Sequence, residues 1–179
     1  LRGRVEVLKV HSQRVKMSTS VNLETLARGT PMFSGADLAA IINEAAIGAT
    51  LQGKDWVEQA DLEEARDKVK WGRARKSHRI EEDEKKVIAY HEAGHAVVMY
   101  VDEHAEPLHK VTIIPRGQAL GVTFMLPEKD RHIYTRKQLL AQLRVTFGGR
   151  IAEAMFCNDI SSGAAMDIKQ ATSIARTMI

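Results

Sequence analysis

The motif with the clearest chemical meaning is Tyr90-His91-Glu92-Ala93-Gly94-His95-Ala96, which contains the pattern H-E-x-x-H. It lies in a segment whose spacing predicts a helix over residues 83–101. Side chains four positions apart lie on one face of a helix, so His91 and His95 can share a metal ion. Two neutral imidazoles suit Zn²⁺ and supply half of its tetrahedral shell. The motif therefore predicts part of a zinc site.

Glu92 has the position that a catalytic base needs beside such a metal. It lies about 100° around the helix from His91, where it can reach a water on the metal without binding the metal itself. A carboxylate there can take the proton of a water whose pKa the ion has lowered to about 7. The small residues Ala93, Gly94 and Ala96 leave room above the metal. A glycine inside a helix costs roughly 1 kcal/mol relative to alanine, which close approach of a ligand or of backbone would explain.

A catalytic zinc ion needs a third protein ligand, and the spacing leaves several candidates. The extended pattern H-E-x-x-H-x-x-G-x-x-H is excluded because Val98 and Val101 occupy its glycine and histidine positions. Asp167 falls in the first turn of a predicted helix, where the helix dipole favours an anion with or without metal. Glu153 lies beside Arg150 and could instead form an ion pair on a helix surface. Spacing favours Asp167 over Glu153 only modestly. The remaining nitrogen donors, each in a polar, loop-like context typical of surface histidines, are His104, His109 and His132.

The elements that must position these residues fall into two regions. The first is a predicted bundle of four helices, with Asn22 and Ser34 as caps. Apolar periodicity stops near 72–80, where a basic cluster precedes an acidic run, and a solvated linker explains that charge pattern better than a nucleic-acid patch. We therefore predict domains at 1–76 and 80–179 and no nucleic-acid partner. The four predicted helices cover residues 2–13, 22–28, 35–52 and 59–71.

The second region combines helices with a β-hairpin. Strands are predicted at Lys110–Pro115 and Leu120–Leu126, joined by a turn at Pro115-Arg116-Gly117, and helices at 135–156 and 164–179. The hairpin either lines the cleft and pairs with extended substrate or merely covers the core. The fold class is mostly α: a four-helix bundle followed by a helical, zincin-like domain with a small β-hairpin.

Composition limits the possible classes of protein. The chain has 179 residues, 44% of them hydrophobic, and a net charge of +3, which fits one large domain or two small ones. The single Cys157 excludes an internal disulfide and a cysteine-rich zinc site and fits a reducing compartment. No run approaches the roughly 20 apolar residues of a membrane span, and no signal peptide is present. Because the chain begins with Leu1, we expect a piece of a longer protein whose membrane anchor, if any, lies elsewhere.

Several motifs, in order and with unbroken spacing over nearly the whole chain, resemble the FtsH family of ATP-dependent, membrane-anchored zinc proteases. The upstream part resembles the C-terminal lid of that family's AAA ATPase module. The motifs are Gly29-Thr-Pro-Met-Phe-Ser-Gly-Ala-Asp-Leu38, Asn43-Glu-Ala-Ala46, His91-Glu-Ala-Gly-His95, His109-Lys-Val-Thr-Ile-Ile-Pro-Arg-Gly117, Leu120-Gly-Val-Thr-Phe124, Gly148-Gly-Arg-Ile-Ala-Glu153 and Asp167-Ile-Lys-Gln-Ala-Thr172.

This resemblance implies roles that the spacing leaves open. It implies that His91, His95 and Asp167 are the zinc ligands and that Glu92 is the catalytic base. Glu153 matches a family acidic position that orients a ligand rather than binding the metal. The implied activity is an ATP-dependent zinc endopeptidase that degrades unfolded or membrane proteins. The alternative is a nucleotide-responsive lid and assembly module without productive peptidase activity in this piece.

The resemblance also implies a nucleotide and partners. His11, Gly35 and Ala36 would lie near the adenine and ribose of ATP, although helix packing explains these residues equally well. The phosphate-binding pattern G-x-x-x-x-G-K-[ST] does not occur, so we expect no ATP hydrolysis by this piece alone. The implied partners are polypeptide substrates and five further copies in a homo-hexamer. The implied location is the cytoplasmic side of the bacterial inner membrane, with an organelle lumen as the less favoured alternative.

Overall fold

The computed structural model describes residues 1–75, 80–117, 119–131 and 133–179. These residues form seven α-helices, one 3₁₀ turn and a two-stranded antiparallel sheet, which confirms the predicted mostly α class. No helix in these ranges is both long and apolar enough to cross a bilayer. The helices are α1 (Arg2–Ser12), α2 (Leu23–Arg28), α3 (Gly35–Leu51), α4 (Gln59–Trp71), α5 (Glu82–Val101), α6 (Arg136–Phe156) and α7 (Ala165–Thr177), with the 3₁₀ turn at Ser162–Ala164.

The chain divides into two compact units. The first contains Leu1–Ala74 with Pro127–Asp130, and the second contains Arg75–Leu126 with Arg131–Ile179. The domain limits 1–76 and 80–179 stay predictions, because the segment around them is only partly described. Three members of the predicted basic linker cluster lie outside the described residues, namely Lys76, His78 and Arg79.

The first unit is the helical bundle that the sequence predicts. The longest of its helices, α3, begins with a capping box, in which Asp37 N–H donates to Ser34 Oγ (3.2 Å) and Ser34 N–H donates to Asp37 Oδ2 (2.8 Å). These bonds satisfy backbone donors that a helix start leaves free. The Ser34 hydroxyl also donates to Asp37 Oδ2 (2.7 Å), and this bond, followed by the one from Ser34 N–H, lowers the pKa of Asp37. The core of this unit is aliphatic, and its fully buried side chains include Leu8, Leu26, Ile41 and Leu62.

Helices α5 and α6 of the second unit pack backbone against backbone at a pair of glycines. A Cβ atom built on Gly94 would lie 2.2 Å from the carbonyl oxygen of Gly148, and a Cβ on Gly148 would lie 2.6 Å from that of Gly94. Real side chains never come so close, so only glycine fits at either position. The space beside Gly94 is therefore occupied by the α6 backbone. Of the two explanations that the sequence analysis offers for Gly94, close approach of backbone is thus confirmed.

The hairpin consists of β1 (Leu108–Thr112) and β2 (Val122–Met125), paired antiparallel with Val111 opposite Thr123. The strands are shorter than the predicted Lys110–Pro115 and Leu120–Leu126. The segment between them leaves the ladder and closes on itself, with Arg116 N–H donating to the carbonyl of Ala119 (2.8 Å). β1 begins at Leu108, before the predicted start at Lys110, and its register with β2 is irregular between these two residues.

Candidate metal centre

Helix α5 presents His91 and His95 on one face, as their spacing predicts. Their Nε2 atoms lie 3.0 Å apart, and the two rings meet edge to face with centroids separated by 4.6 Å. Both side chains are largely buried, with 14% and 12% of their surfaces exposed. Two nitrogens thus point at one shared, partly dry position.

Asp167, in the first turn of α7, brings a carboxylate oxygen to the same position. Its Oδ2 lies 3.1 Å from Nε2 of His91 and 3.5 Å from Nε2 of His95. Ligand atoms of a tetrahedral zinc ion with bonds of about 2.0–2.1 Å are separated by about 3.3 Å. The three donor atoms therefore have both the chemistry and the spacing of a zinc site.

The carboxylate oxygen of Asp167 passes a second test. Oδ2 is buried, and within the described part of the chain no hydrogen bond of acceptable geometry reaches it, although the imidazole nitrogens are close. An ordinary aspartate–histidine hydrogen bond would place a proton on the line between the two atoms. A buried polar atom without such a bond is costly unless another partner binds it, and a cation shared with the two imidazoles satisfies it.

The far nitrogen of each imidazole is held by an acceptor. Nδ1 of His91 lies 2.6 Å from Oε1 of Glu153, and Nδ1 of His95 lies 2.7 Å from the carbonyl oxygen of Val145. The amide of Gly149 also lies 3.3 Å from Nδ1 of His95, but the shorter contact is to a carbonyl, which only accepts, so this nitrogen carries the proton. With Nδ1 donating on both rings, both Nε2 lone pairs are available to a metal.

Glu153 connects α6 with the turn that precedes α7. Its side chain is 1% exposed, which rules out the alternative of an ion pair on the helix surface. Oε2 accepts from the amide of Ser161 (2.7 Å), and the Ser161 hydroxyl donates to Oε1 (3.1 Å). The carboxylate faces Nδ1 of His91 and not the metal-facing nitrogens. Glu153 thus contacts both His91 and the turn that precedes α7 and holds them together.

Gly149 is a site residue that our sequence analysis did not single out. A Cβ atom there would lie 2.6 Å from Nε2 of His95 and 2.7 Å from Nε2 of His91. Any side chain at this position would push the imidazoles out of place. The available signal was the Gly148-Gly149 pair inside a strongly predicted helix, where glycine is unfavourable unless another group must approach closely.

Glu92 lies beside the two imidazoles and is 7% exposed. Burial raises the pKa of its carboxyl above the ordinary value, although the hydrogen bond from Thr123 acts in the opposite direction. The Thr123 hydroxyl donates to Oε2 of Glu92 over 2.6 Å. A carboxylate whose pKa is raised is a better proton acceptor than an ordinary exposed one.

Residues 78–179 match the profile of peptidase family M41, which covers more than half of the chain, and residues 20–64 match that of the AAA+ lid domain. The chain belongs to peptidase family M41. The predicted resemblance to FtsH proteins is confirmed at the same time. The chain is 57% identical over its full length to an ATP-dependent zinc metalloprotease FtsH 2 of Methylacidiphilum infernorum. It is 52% identical to proteins named ATP-dependent zinc metalloprotease FtsH from Acidobacterium capsulatum and Rubrobacter xylanophilus.

The chain spans 28% of the length of each of these three relatives. The M41 match contains the three metal-facing residues and Glu92, whereas the lid match lies in the first compact unit. Zinc, which the names of the relatives specify, is also the ion that the donor set and its spacing suit.

The protonation of His91, His95 and Asp167 in the M41 site depends on the contacts among these three side chains. Burial opposes the charged forms of His91 and His95, but contacts with Asp167 outweigh it, and the pKa of each histidine is raised. Burial likewise opposes the Asp167 carboxylate, but the two histidines lower its pKa to about 2. An ion that binds here therefore displaces protons from the histidines. The Asp167 carboxylate is already ionised and offers its negative charge to the ion.

A cavity of about 720 Å³ opens beside the M41 triad. Its walls come from α5, from the segment leading into β2, from α6 and from the start of α7. The surface is mainly apolar, with a few polar groups from the triad and its neighbours, as is typical of ligand-binding clefts. Its apolar lining residues include Ile88, Met99, Leu120, Val122 and Met166.

The other predicted candidates lie apart from the triad or in the other unit. Nε2 of His104 lies 3.5 Å from Oε1 of Glu103, and the ring of His109 packs against Phe124. His132 lies outside the described residues. The three predicted nucleotide contacts are exposed, at the end of α1 and in the first turn of α3, and their role stays a prediction: His11, Gly35 and Ala36.

Proposed function

We propose that this chain forms the lid and zinc-peptidase regions of an ATP-dependent endopeptidase that hydrolyses peptide bonds in polypeptides. In this proposal His91, His95 and Asp167 bind zinc and Glu92 is the catalytic base. The observation that carries it is the convergence of two Nε2 atoms and one carboxylate oxygen within 3.5 Å, with that oxygen buried and without a hydrogen bond. The oxygen lies within ion-pair distance of both imidazoles, and a cation shared with them would satisfy it.

The residues of the chain divide the chemistry among them. When bound, zinc supplies a Lewis acid that polarises the scissile carbonyl and acidifies a water molecule. Glu92 accepts a proton from the attacking water and delivers it to the leaving amine, for which its burial and raised pKa suit it. Glu153 holds the Nδ1 proton of His91, which keeps Nε2 free for the metal.

The hairpin contributes to the substrate cleft in this proposal. Leu120, Gly121, Val122 and Thr123 line the cavity beside the triad, which supports the cleft-lining alternative over a purely covering role. An extended peptide lying along this segment would place its backbone near the metal and its apolar side chains in the cavity.

The relatives are longer than this chain and are named as ATP-dependent, which supports a proposal for the wider setting. We infer unfolded or membrane proteins as substrates, assembly as a homo-hexamer, and a membrane anchor outside these residues on the cytoplasmic side of a bacterial inner membrane. Within the lid, we infer that His11, Gly35 and Ala36 contact the adenine and ribose of ATP, the phosphates of which bind elsewhere in the full-length protein.

The function is tested by separating metal binding from proton transfer in the full-length protein. Glu92→Gln keeps one zinc ion per chain but lowers peptidase turnover by at least about a hundredfold, because the amide cannot take the proton. His95→Ala loses the zinc as well. Zinc is measured by elemental analysis and turnover with a fluorogenic peptide. His104→Ala, which changes a histidine away from the triad, is the matched control and retains both properties.

Two results would contradict the proposal. Turnover by Glu92→Gln at the wild-type rate would remove Glu92 from its role. A wild-type protein without zinc would favour the alternative, in which these residues form only a nucleotide-responsive lid and assembly module.

A further inference from the structure

We propose that Thr123 is a positioning residue for Glu92, that Gly121 makes the space for this contact, and that Oε1 of Glu92 is the atom that receives the proton. This inference rests on the proposed function, because it assigns a task to residues that touch the proposed base. Both β-hairpin residues lie 29 or more positions along the chain from Glu92, so only the fold brings them together.

The contact between Thr123 and Glu92 has the geometry of a strong hydrogen bond. The Thr123 Oγ1 atom lies 2.6 Å from Oε2 of Glu92, within the range of hydroxyl bonds to an ionised carboxylate. The same hydroxyl lies 3.1 Å from the backbone carbonyl oxygen of Glu92. A hydroxyl has a single proton, and the shorter contact assigns it to the carboxylate.

The bond leaves the two carboxylate oxygens of Glu92 different from each other. Within the described residues, the hydrogen bond to this carboxylate reaches Oε2, and none reaches Oε1. Glu92 lines the same cavity as His91, His95 and Asp167. With Oε2 fixed by Thr123, Oε1 is the oxygen that can accept a proton from a water in that cavity. The side chain is thereby held in one rotamer before the substrate arrives, which reduces the ordering required during the reaction.

Gly121 allows the strand to come this close. A Cβ atom at position 121 would lie 2.6 Å from Oε1 of Glu92 and 2.7 Å from its Cγ atom. The backbone of Gly121 does not have a positive φ, so an alanine is acceptable to the chain itself. The three atoms nearest to such a methyl group all belong to the Glu92 side chain, so the methyl group would displace the atom to which we assign proton transfer.

The alternative is that Thr123 only packs in the strand, and an experiment can distinguish this role from the positioning of Glu92. Threonine is common in strands because its branched side chain packs well there, and Thr123 pairs with Val111 across the hairpin. Valine has the same shape and an equal or better strand preference. Thr123→Val therefore preserves the strand role and removes only the hydroxyl.

The experiment compares three substitutions in the full-length protein. Thr123→Val removes the hydroxyl, Thr123→Ser keeps it, and Thr112→Val makes the same chemical change on β1. The hydroxyl of Thr112 accepts from the amide of Ile114 and is thus engaged away from Glu92. The measurements are kcat and KM with a fluorogenic peptide, zinc per chain, and the position of the Glu92 side chain in crystals of the metal-free protein.

For Thr123→Val we expect kcat to fall by about tenfold to a hundredfold, because a misplaced base costs rate out of proportion to its displacement. KM changes by less than about twofold, since valine keeps the shape that threonine gives to the cavity wall. Zinc content stays at one per chain, and the Glu92 carboxylate leaves its position in the metal-free crystals. Thr123→Ser restores kcat, and Thr112→Val leaves it unchanged.

An unchanged kcat in folded Thr123→Val, or an unmoved carboxylate, would overturn the proposal. If Thr123→Val fails to fold, Gly121→Ala gives the second test, with the same expected loss of kcat at full zinc content. Failure of the proposed function gives a different pattern: Glu92→Gln would then be as active as wild type. If Glu92→Gln is inactive while Thr123→Val and Gly121→Ala are fully active, only the positioning role is refuted.

Discussion

Each of the two histidines of this site uses both of its ring nitrogens. Each metal-facing imidazole donates from Nδ1 to a fixed acceptor, Glu153 for His91 and the Val145 carbonyl for His95. The acceptors differ in kind, because one is an anion and the other a neutral dipole. An anionic acceptor makes the opposite nitrogen more basic, so His91 is the stronger donor to the metal. The two ligands, although equivalent in the motif, are therefore unequal in the fold.

The histidine pKa values predict how metal binding depends on pH. In the metal-free protein the pKa of each histidine lies above its ordinary value, so both are partly protonated near neutral pH. Zinc binds the neutral imidazoles and must displace these protons. We expect proton release on zinc uptake that grows as the pH falls towards the histidine pKa values, while zinc affinity weakens in the same direction.

Calorimetric titration of the metal-free protein with zinc measures this release. At a given pH, the apparent enthalpy will differ between buffers of different ionisation enthalpy, and the difference will decrease as the pH is raised. Identical enthalpies in all buffers near neutral pH would contradict the raised pKa values. His104→Ala is the control and should release the same number of protons as wild type.

At the scale of elements, the site is built where α5 crosses α6 without side chains between them. Gly94 and Gly148 allow the crossing, and Gly149, one position further along α6, touches both imidazoles. The adjacent glycines Gly148 and Gly149 of α6 thus set the separation of the helices and the space for the imidazoles. The hairpin closes the opposite side of Glu92 through Gly121 and Thr123.

The crossing predicts a specific effect of adding one methyl group. Gly149→Ala places a Cβ atom within 2.7 Å of both Nε2 atoms, so we expect loss of bound zinc and of peptidase turnover. Gly48→Ala in α3 is the matched control, because nothing lies within 4 Å of its added Cβ. There the same change should stabilise the protein by about 0.5–1 kcal/mol, since alanine is the better helix former.

Zinc analysis and thermal unfolding of both variants provide the measurement. A Gly149→Ala protein with full zinc content would mean that the helices can separate enough to admit the methyl group. A destabilised Gly48→Ala protein would show that the space seen around Gly48 is not available.

Most helices could be predicted from the sequence because their signals are local. Caps such as Asn22 and Ser34 and the apolar spacing of α3 depend only on neighbouring residues, and the structure reproduces them. The pair His91 and His95 was predictable for the same reason. The strand ends were less accurate because a short hairpin loses its pairing where the loop closes on itself.

The remaining parts of the site depend on contacts between distant segments. Spacing alone left Asp167 and Glu153 as alternatives, since the distinction is which imidazole nitrogen each carboxylate faces. Thr123 and Gly121 had no local signal at all, because their task is visible only when β2 lies against Glu92. The nucleotide role of His11 stays a prediction derived from resemblance.

At the scale of the whole molecule, the two units have different reasons to be stable. The first has an aliphatic core that includes Leu8 and Leu62, both fully buried. The second has fewer fully buried large side chains among its described residues, and its buried polar groups include Glu92 and Glu153, which lie beside the metal-facing histidines. Its stability should therefore depend on the ion to an extent that the first unit's does not.

Removal of zinc provides the corresponding test. We expect hydrogen exchange to speed up in α5, α6 and α7 when a chelator removes the metal from the full-length protein, because a ligand bound only to the folded state stabilises it. Exchange in α3 and α4 should remain the same. Mass spectrometry of peptides from each helix measures the difference, and uniform exchange in both states would contradict the prediction.

The position of Asp167 has a consequence for folding. His95 and Asp167 are separated by 72 positions (167 minus 95), so an ion bound by both fastens together two distant points of the chain. A permanent cross-link that closes a loop of this length would contribute about 4 kcal/mol through the lost freedom of the unfolded chain. The metal would then act as a removable cross-link between α5 and α7.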